Sequence, residues 1–138
     1  MRTLFMVGIT MLILSCNGKD LQSIDLNSSD FPALNAVTVV ADSNRFVFET
    51  RAGDMNLNES YALEFDATRL LFIVTVTSYK GGTATMTLRD KDNNILREEN
   101  LNINRIQTNP FTVNTPPARI DVKLDSYSGN ISVVFKSR

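Results

Sequence analysis

Apolar and polar residues alternate along most of the chain from Val37 onward, and this two-residue period constrains the fold more than any other feature of the sequence. Successive side chains of a β-strand point to opposite faces, so the alternation is typical of strands with one face in a core. The alternating runs are short and are separated by turn signals such as DSN, YKGG, DKDNN and SYSGN. No stretch of ten residues shows a helical period. The sequence therefore predicts an all-β domain over residues 37–138, an antiparallel β-sandwich or jelly roll of about eight to nine strands.

The expected core follows from the same alternation. Its members are large apolar residues on one face of each predicted strand: Phe46, Phe48, Leu63, Phe65, Phe72, Val74, Val76, Met86, Leu88, Ile120, Val122, Leu124, Ile131, Val133 and Phe135. The longest predicted strand, Arg69–Tyr79, departs from the alternation, because its first half reads LLFIV and is apolar at every position. A strand that is apolar on both faces is normally central, with something covering its second face.

The first sixteen residues have the layout of an export signal. A short basic start, Met1 to Thr3, precedes an apolar run from Leu4 to Leu14. A helix of that length spans about 16 Å, which is too short for a hydrocarbon core of about 30 Å. The run ends in Ile13-Leu14-Ser15-Cys16, which contains the only cysteine of the chain and resembles the lipobox of bacterial lipoproteins.

This resemblance implies that Cys16 is a lipidation site. In bacterial lipoproteins the cysteine thiol receives a diacylglyceryl group, the signal is cleaved before the cysteine, and the new amino group is often acylated. Residues 1–15 would then be a signal peptide, and residues 16–36 the lipidated cysteine and a polar tether. We expect the first half of this tether to be flexible and its second half to dock on the domain. Asn17 stands where an aspartate retains some lipoproteins at the inner membrane, which favours the outer membrane. The alternatives are an ordinary signal peptide, or a buried helix in which Cys16 packs as a small apolar residue.

Composition argues against several classes of function. The chain contains no histidine, one cysteine and no tryptophan, which excludes Ser-His-Asp triads, Cys-His pairs and histidine-bearing zinc sites. No glycine-rich phosphate-binding motif occurs. The net charge is −1, and no basic cluster indicates nucleic acid as a partner. Paired carboxylates or a Ser-Lys couple remain as catalytic groups, but the spacing of these residues favours neither. We therefore expect a protein that is not an enzyme and that carries no cofactor or metal, and an enzyme that uses carboxylates is the third alternative.

Three groups of residues are candidate binding sites. Asp90, Asp92 and Asn94 suggest a calcium site, although aspartate and asparagine also stabilise hairpin turns. Tyr79 and Tyr127 lie beside turns and mark either a binding edge or local packing. The third group is a stripe of threonines, which suits a glycan-binding face or an ordinary solvated sheet face: Thr75, Thr77, Thr83, Thr85 and Thr87.

The second half of the chain also resembles small secreted β-sandwich accessory modules, of which bacterial pre-peptidase C-terminal domains are one group. The segments that carry this similarity are YALEFDATRLLFIVTV, TATMTLRDKDNNIL and PPARIDVKLDSYSGNISVVF. Ala118 and Arg119 stand where an aromatic residue usually follows the proline, and no functional residue is transferred from the resemblance. The expected function is that of a membrane-anchored cell-envelope lipoprotein with a non-enzymatic binding or assembly role towards a protein partner. The alternative is a glycan- or calcium-dependent ligand-binding module.

Overall fold

The computed structural model describes residues 31–138, and within this range it contains six β-strands and no helix. The strands are β1 (Val37–Ala41), β2 (Arg45–Ala62), β3 (Arg69–Arg89), β4 (Ile95–Asn100), β5 (Arg105–Thr112) and β6 (Arg119–Ser137). They form one antiparallel sheet in the order β1-β2-β6-β3-β4, and β5 also pairs with β3. The predicted all-β fold is confirmed. The predicted signal segment 1–15 and the lipidation site Cys16 lie outside the described residues.

The three longest strands fold back on themselves. Phe46 and Tyr61 both belong to β2, and their ring centroids are only 5.7 Å apart, whereas a straight strand would separate them by about 50 Å. Arg97 of β4 lies 5.0 Å from the ring of Phe72 and 4.6 Å from the ring of Phe111, although β4 pairs with the opposite end of β3 from β5. The two halves of the sheet therefore face each other as the layers of a sandwich.

Each layer takes one half of each long strand. The first layer contains β1, β5 and residues 45–52, 69–77 and 129–137; the second layer contains β4 and residues 55–62, 81–89 and 119–127. Counted by layer, these pieces make nine strand segments, in line with the predicted eight to nine. The structure differs from the prediction in that several segments expected to be separate strands are continuous.

Backbone conformation explains this continuity. Ser78 and Gly82 of β3 have φ angles of 54° and 80°, so the YKGG stretch bends the strand instead of closing a hairpin. A Cβ atom at Gly82 would lie 2.2 Å from the backbone oxygen of Ser126. Only glycine therefore fits at this position, where the bend of β3 lies against the bend of its neighbour β6. Asp54 of β2 and Ser126 of β6 also have positive φ angles, 52° and 46°. The three bends therefore lie side by side and form one end of the sandwich, which we call the bent end.

All fifteen residues of the predicted core are buried. They pack with further residues that the alternation did not single out, among them Leu70, Leu101 and Tyr127, each of which is fully buried. The hydrophobic cluster occupies the space between the two layers. The core prediction is confirmed because a two-residue period fixes which side chains of a strand share a face.

The chain joins the domain at the bent end. Leu34 forms a parallel bridge with Arg51, and the side chain of Asn35 both accepts a hydrogen bond from the Gly53 amide (2.7 Å) and donates one to the Gly53 carbonyl (3.1 Å). The Thr50 hydroxyl donates to the carbonyl of Ala36 at 2.8 Å. Residues 34–36, which the sequence assigned to the tether, are thus attached to β2. The residues that the structure describes include no apolar helix of membrane-spanning length.

Candidate functional site

The outer face of the second layer is polar, and its side chains bind one another. Ser60 of β2 and Arg89 of β3 donate hydrogen bonds to the Asp121 carboxylate of β6 at 2.7 and 2.8 Å. Arg119 pairs with the same carboxylate at 2.8 Å and donates to the side chain of Asn93 at 2.7 Å. These groups pair with one another within the sandwich, and among their buried polar atoms only the Nε of Arg119 lacks an aligned hydrogen-bond acceptor within residues 31–138. This face therefore leaves few polar groups for a partner to satisfy.

Asp121 is held in its charged form by this network. Partial burial opposes ionisation, but the hydrogen bonds from Ser60, Arg89 and Arg119, together with the charge of Arg119, outweigh it and lower the pKa of the carboxyl below its usual value. A carboxylate that accepts several hydrogen bonds is stabilised in this way. The network therefore contributes to stability at neutral pH.

The outer face of the first layer is different, because an unbroken apolar row crosses four neighbouring strands. Val40 pairs with Val47, Val47 with Val134, and Val134 with Ile73, each directly opposite the next. Val40 is 40% exposed, and the other three are partly buried by their neighbours. Side chains of a strand alternate between faces, so these four point away from the buried Phe46, Phe48, Phe72 and Val133. The row is thus a second apolar surface, separate from the core.

Flanking residues widen this row. Leu71 lies two positions before Ile73 and pairs with Pro110 of the edge strand β5. Ile106 of β5, on the other side of the row, is 66% exposed. We call the surface made by Val40, Val47, Leu71, Ile73, Ile106 and Val134 the apolar face. No element within residues 31–138 covers it, and the described strands form only the two layers already defined.

The apolar face has a charged border at each end of its strands. At the end farther from the bends, Lys136 pairs with Leu71 on one side and with Arg45 on the other, and Arg69 lies two positions before Leu71. Nearer the bends, Glu49 accepts a hydrogen bond from Ser132 at 3.0 Å. We call Arg45, Arg69 and Lys136 the cationic border; all three are exposed.

A cavity of about 560 Å³ opens beside the cationic border, at the end of the sandwich opposite the bends. Its walls are Arg69, Leu70, Pro110, Phe111, Thr112 and Arg138. Phe111 is held by an edge contact with Phe135 (6.1 Å between centroids) and by the Arg97 guanidinium above it. The cavity therefore combines an apolar, rigid floor with cationic walls.

The candidate calcium residues form a closed turn between β3 and β4. The Asp90 carboxylate accepts hydrogen bonds from the amides of Asp92 and Asn94 (both 2.9 Å), from the Asn94 side chain (3.0 Å) and from the Thr115 hydroxyl (3.1 Å). The Asn94 side chain contributes most to a lowered pKa of Asp90, against the opposing effect of burial. No group of three metal-ligating residues occurs in the described part of the chain. The chain itself uses both carboxylate oxygens, which favours the turn interpretation.

The two candidate tyrosines lie together at the bends. Tyr127 is fully buried, its ring centroid is 5.6 Å from that of Tyr79, and its hydroxyl donates to the Leu101 carbonyl. Tyr79 is partly buried and donates to the Gly82 carbonyl at 2.9 Å. Burial raises the pKa of Tyr127, with a smaller contribution from Tyr79. Tyr127 has no exposed surface for a ligand, because the bend of β6 places its side chain in the core. The proposed binding edge therefore does not extend to Tyr127.

The threonine stripe is not a single exposed face. Thr75 and Thr87 are buried, at 7% and 8% exposure, and they lie on opposite layers of the sandwich. The bend of β3 separates Thr75 and Thr77 from Thr83, Thr85 and Thr87. A flat glycan platform made of all five threonines is thus absent from the described structure.

The apolar face was missed as a site, although the sequence carried a signal for it. The LLFIV stretch of β3 indicated an apolar second face that something should cover. Leu71 and Ile73 are the outward members of that stretch; both are partly exposed and pair with β5 on one side and β6 on the other. Val40, Val47 and Val134 gave no such signal, because each belongs to a different short run whose register is set by tertiary pairing.

No family model matches the chain, and no curated protein matches it in sequence.

Proposed function

We propose that this protein is an exported, lipid-anchored protein of the bacterial cell envelope, and that its β-sandwich binds a protein partner without catalysing a reaction. The anchor would be Cys16, within the lipobox-like Ile13-Leu14-Ser15-Cys16. Two or three acyl chains on one cysteine give a stable attachment, since each buried CH₂ contributes about 0.8 kcal/mol. The chain joins the domain at the bent end, so the anchor would approach the sandwich from that side.

The observation that carries the binding proposal is the contrast between the two outer faces. One face pairs most of its polar groups with one another around Asp121. The other presents the row from Val40 to Ile73, with Ile106 beside it, to solvent. Contiguous exposed apolar surface on a soluble domain marks an interaction site, because leaving it in water forfeits about 25 cal/mol for each Å² that a partner would bury.

Labelling in cells tests the anchor. Wild-type protein should incorporate radioactive palmitate, and the Cys16→Ser variant should not incorporate it and should be released or misprocessed. The variant Ser15→Ala keeps the cysteine and serves as the control, so it should label like the wild type. Equal labelling of Cys16→Ser and wild type contradicts the anchor.

Photo-crosslinking in intact cells tests the binding face. A photo-crosslinking amino acid in place of Ile106 should give a discrete protein adduct, and the same group in place of Lys123 should not. Both positions are exposed, but Lys123 lies on the outer face of the second layer, opposite Asn58 and Thr85. Equal adduct formation at the two positions would remove the preference for the apolar face.

A further inference from the structure

We infer that the partner presents an acidic, apolar protein segment to the apolar face, with its carboxylates against the cationic border. This inference rests on the proposed function, and it adds the chemistry of the partner. Its starting point is the charge distribution around the face. Lys136, Arg69 and Arg45 lie together at one border, where Asp42 pairs only with Arg45. Glu49 lies on the other side of the apolar row.

The pairing register of β6 with β2 and β3 places the three cations of this border close together. Lys136 and Arg45 are directly opposite each other on β6 and β2, which places their Cβ atoms about 5 Å apart. Arg69 is diagonal to Lys136 across β3, about 7–8 Å away. Like charges that face each other across strands repel. A bound carboxylate would relieve this repulsion, which an apolar partner alone would not.

The described chain supplies little counter-charge to these residues. Arg45 lies 3.6 Å from Asp42 in an exposed pair, and such exposed pairs are worth at most about 1 kcal/mol. Within residues 31–138, Lys136 and Arg69 make no ion pair. Four arginines elsewhere in the sandwich each pair with Asp121 or Glu99: Arg89, Arg97, Arg105 and Arg119. Lys136 and Arg69 are thus available to an external anion beside the apolar face. Other exposed cations that make no ion pair within residues 31–138, such as Lys91 and Lys123, lie away from this face.

The cavity beside the cationic border is large enough to accommodate a side chain of the partner. Arg69 forms part of both the border and the cavity wall, and Phe111 and Pro110 line the apolar part. An acidic segment that follows the apolar row from Val40 towards Pro110 would place a carboxylate beside Arg69 at the cavity mouth. Arginine binds carboxylates through paired hydrogen bonds, which gives direction as well as attraction.

The shape of the face favours a protein over an anionic lipid surface. Val47, Val134 and Ile73 are set among their strand neighbours and are only partly exposed, so they do not project as a membrane-inserting group must. Together with the cationic border, the face is about 20 Å across five strands and about 20 Å along β3, from Arg69 to Thr75, which lies opposite Ile106. A flat surface of this size buries about 800 Å² in total, which corresponds to a weak or transient protein interface.

Charge reversal in intact cells tests the inference. In protein that carries the photo-crosslinking group at position 106, Lys136→Glu and Arg69→Glu together should reduce the adduct at least tenfold. Lys123→Glu makes the same kind of charge change on the other outer face and should leave the adduct unchanged. Melting temperatures of the purified variants should agree within a few degrees, since all three positions are exposed.

An apolar-to-charged variant separates this inference from the proposed function. If Ile73→Asp abolishes the adduct while the double charge reversal leaves it intact, the face binds a protein but the acidic partner is wrong. If neither change affects the adduct, both the face and the partner chemistry are wrong. An adduct to lipid, to a second copy of the chain or to residues 17–30 of the same chain also overturns the acidic partner. Loss of the adduct in both variants, with retention in Lys123→Glu, supports it.

Discussion

The hydroxyl of Tyr127 donates a hydrogen bond to the backbone carbonyl of Leu101 across 3.0 Å, and both residues are fully buried. Tyr127 lies at the bend of β6, whereas Leu101 follows the last residue of β4. The bond therefore ties the bent end of the sandwich to the loop between β4 and β5. A buried carbonyl without a donor is costly, so this hydroxyl stabilises the loop together with the bond from the Leu101 amide to the Ala84 carbonyl of β3 (2.9 Å).

We expect Tyr127→Phe to lower the free energy of unfolding by about 1–3 kcal/mol, because it leaves the Leu101 carbonyl unsatisfied in the core. A change of 1 kcal/mol corresponds to about 4–8 °C in melting temperature for a domain near this size. Thermal melting followed by circular dichroism measures the shift. Tyr79→Phe is the matched control and should shift the melting temperature less, since the Tyr79 hydroxyl is only partly buried.

Gly82 should be the least replaceable glycine in the described structure. Gly82→Ala places a Cβ atom 2.2 Å from a backbone oxygen at a φ angle of 80°, so we expect a loss of about 2–4 kcal/mol or failure to fold. Gly53→Ala is the control. Its Cβ would meet only the flexible end of Leu34, at 3.1 Å, and the variant should melt near the wild-type temperature. Equal tolerance of both substitutions would contradict the bent geometry of β3.

Acid should destabilise the domain through two carboxylates. Hydrogen bonds lower the pKa values of Asp90 and Asp121 below the ordinary value of 3.8, so the folded state binds fewer protons than the unfolded state in this range. Their stabilising contribution is complete above the unfolded pKa and is lost as pH falls through the folded values. Melting temperatures between pH 6 and pH 2 should therefore fall most steeply below about pH 4.

The variant Asp121→Asn tests how much of the loss of stability in acid comes from protonation of Asp121. It should be less stable than the wild type at pH 7 and should lose less stability on acidification, because its side chain cannot take up a proton. Asp125→Asn is the control, since Asp125 is exposed and accepts no side-chain hydrogen bond among the described residues. A wild-type pH profile in Asp121→Asn would show that the network around Asp121 does not couple to folding.

Calcium should not stabilise the Asp90 turn. Four donors already occupy both carboxylate oxygens of Asp90, and a metal ion would have to displace them. We expect the same melting temperature with and without millimolar calcium. Magnesium at equal concentration controls for ionic strength. A rise specific to calcium, absent in Asp90→Asn, would favour the ligand-binding alternative.

The alternation of residues was enough to predict the fold class and the core, because strand geometry alone decides that Phe72 and Val74 share a face. It was not enough to predict the continuity of β2, β3 and β6, which depends on positive φ angles at residues such as Ser78 and Asp54. Residues 105–110 of β5 escaped prediction because RIQTNP is polar and contains Pro110, as suits an edge strand. The apolar face escaped because it assembles residues from five separate strands.

Accessibility of the apolar face in living cells tests the central claim most directly. With Cys16 acylated, the mature chain has no other thiol, so Ile106→Cys and Lys123→Cys each introduce one reactive group. Both should react rapidly with a small maleimide in the purified protein. In intact cells we predict that Ile106→Cys reacts several-fold more slowly while Lys123→Cys keeps its rate, because a partner covers the apolar face. Equal rates at the two positions in cells would contradict the account.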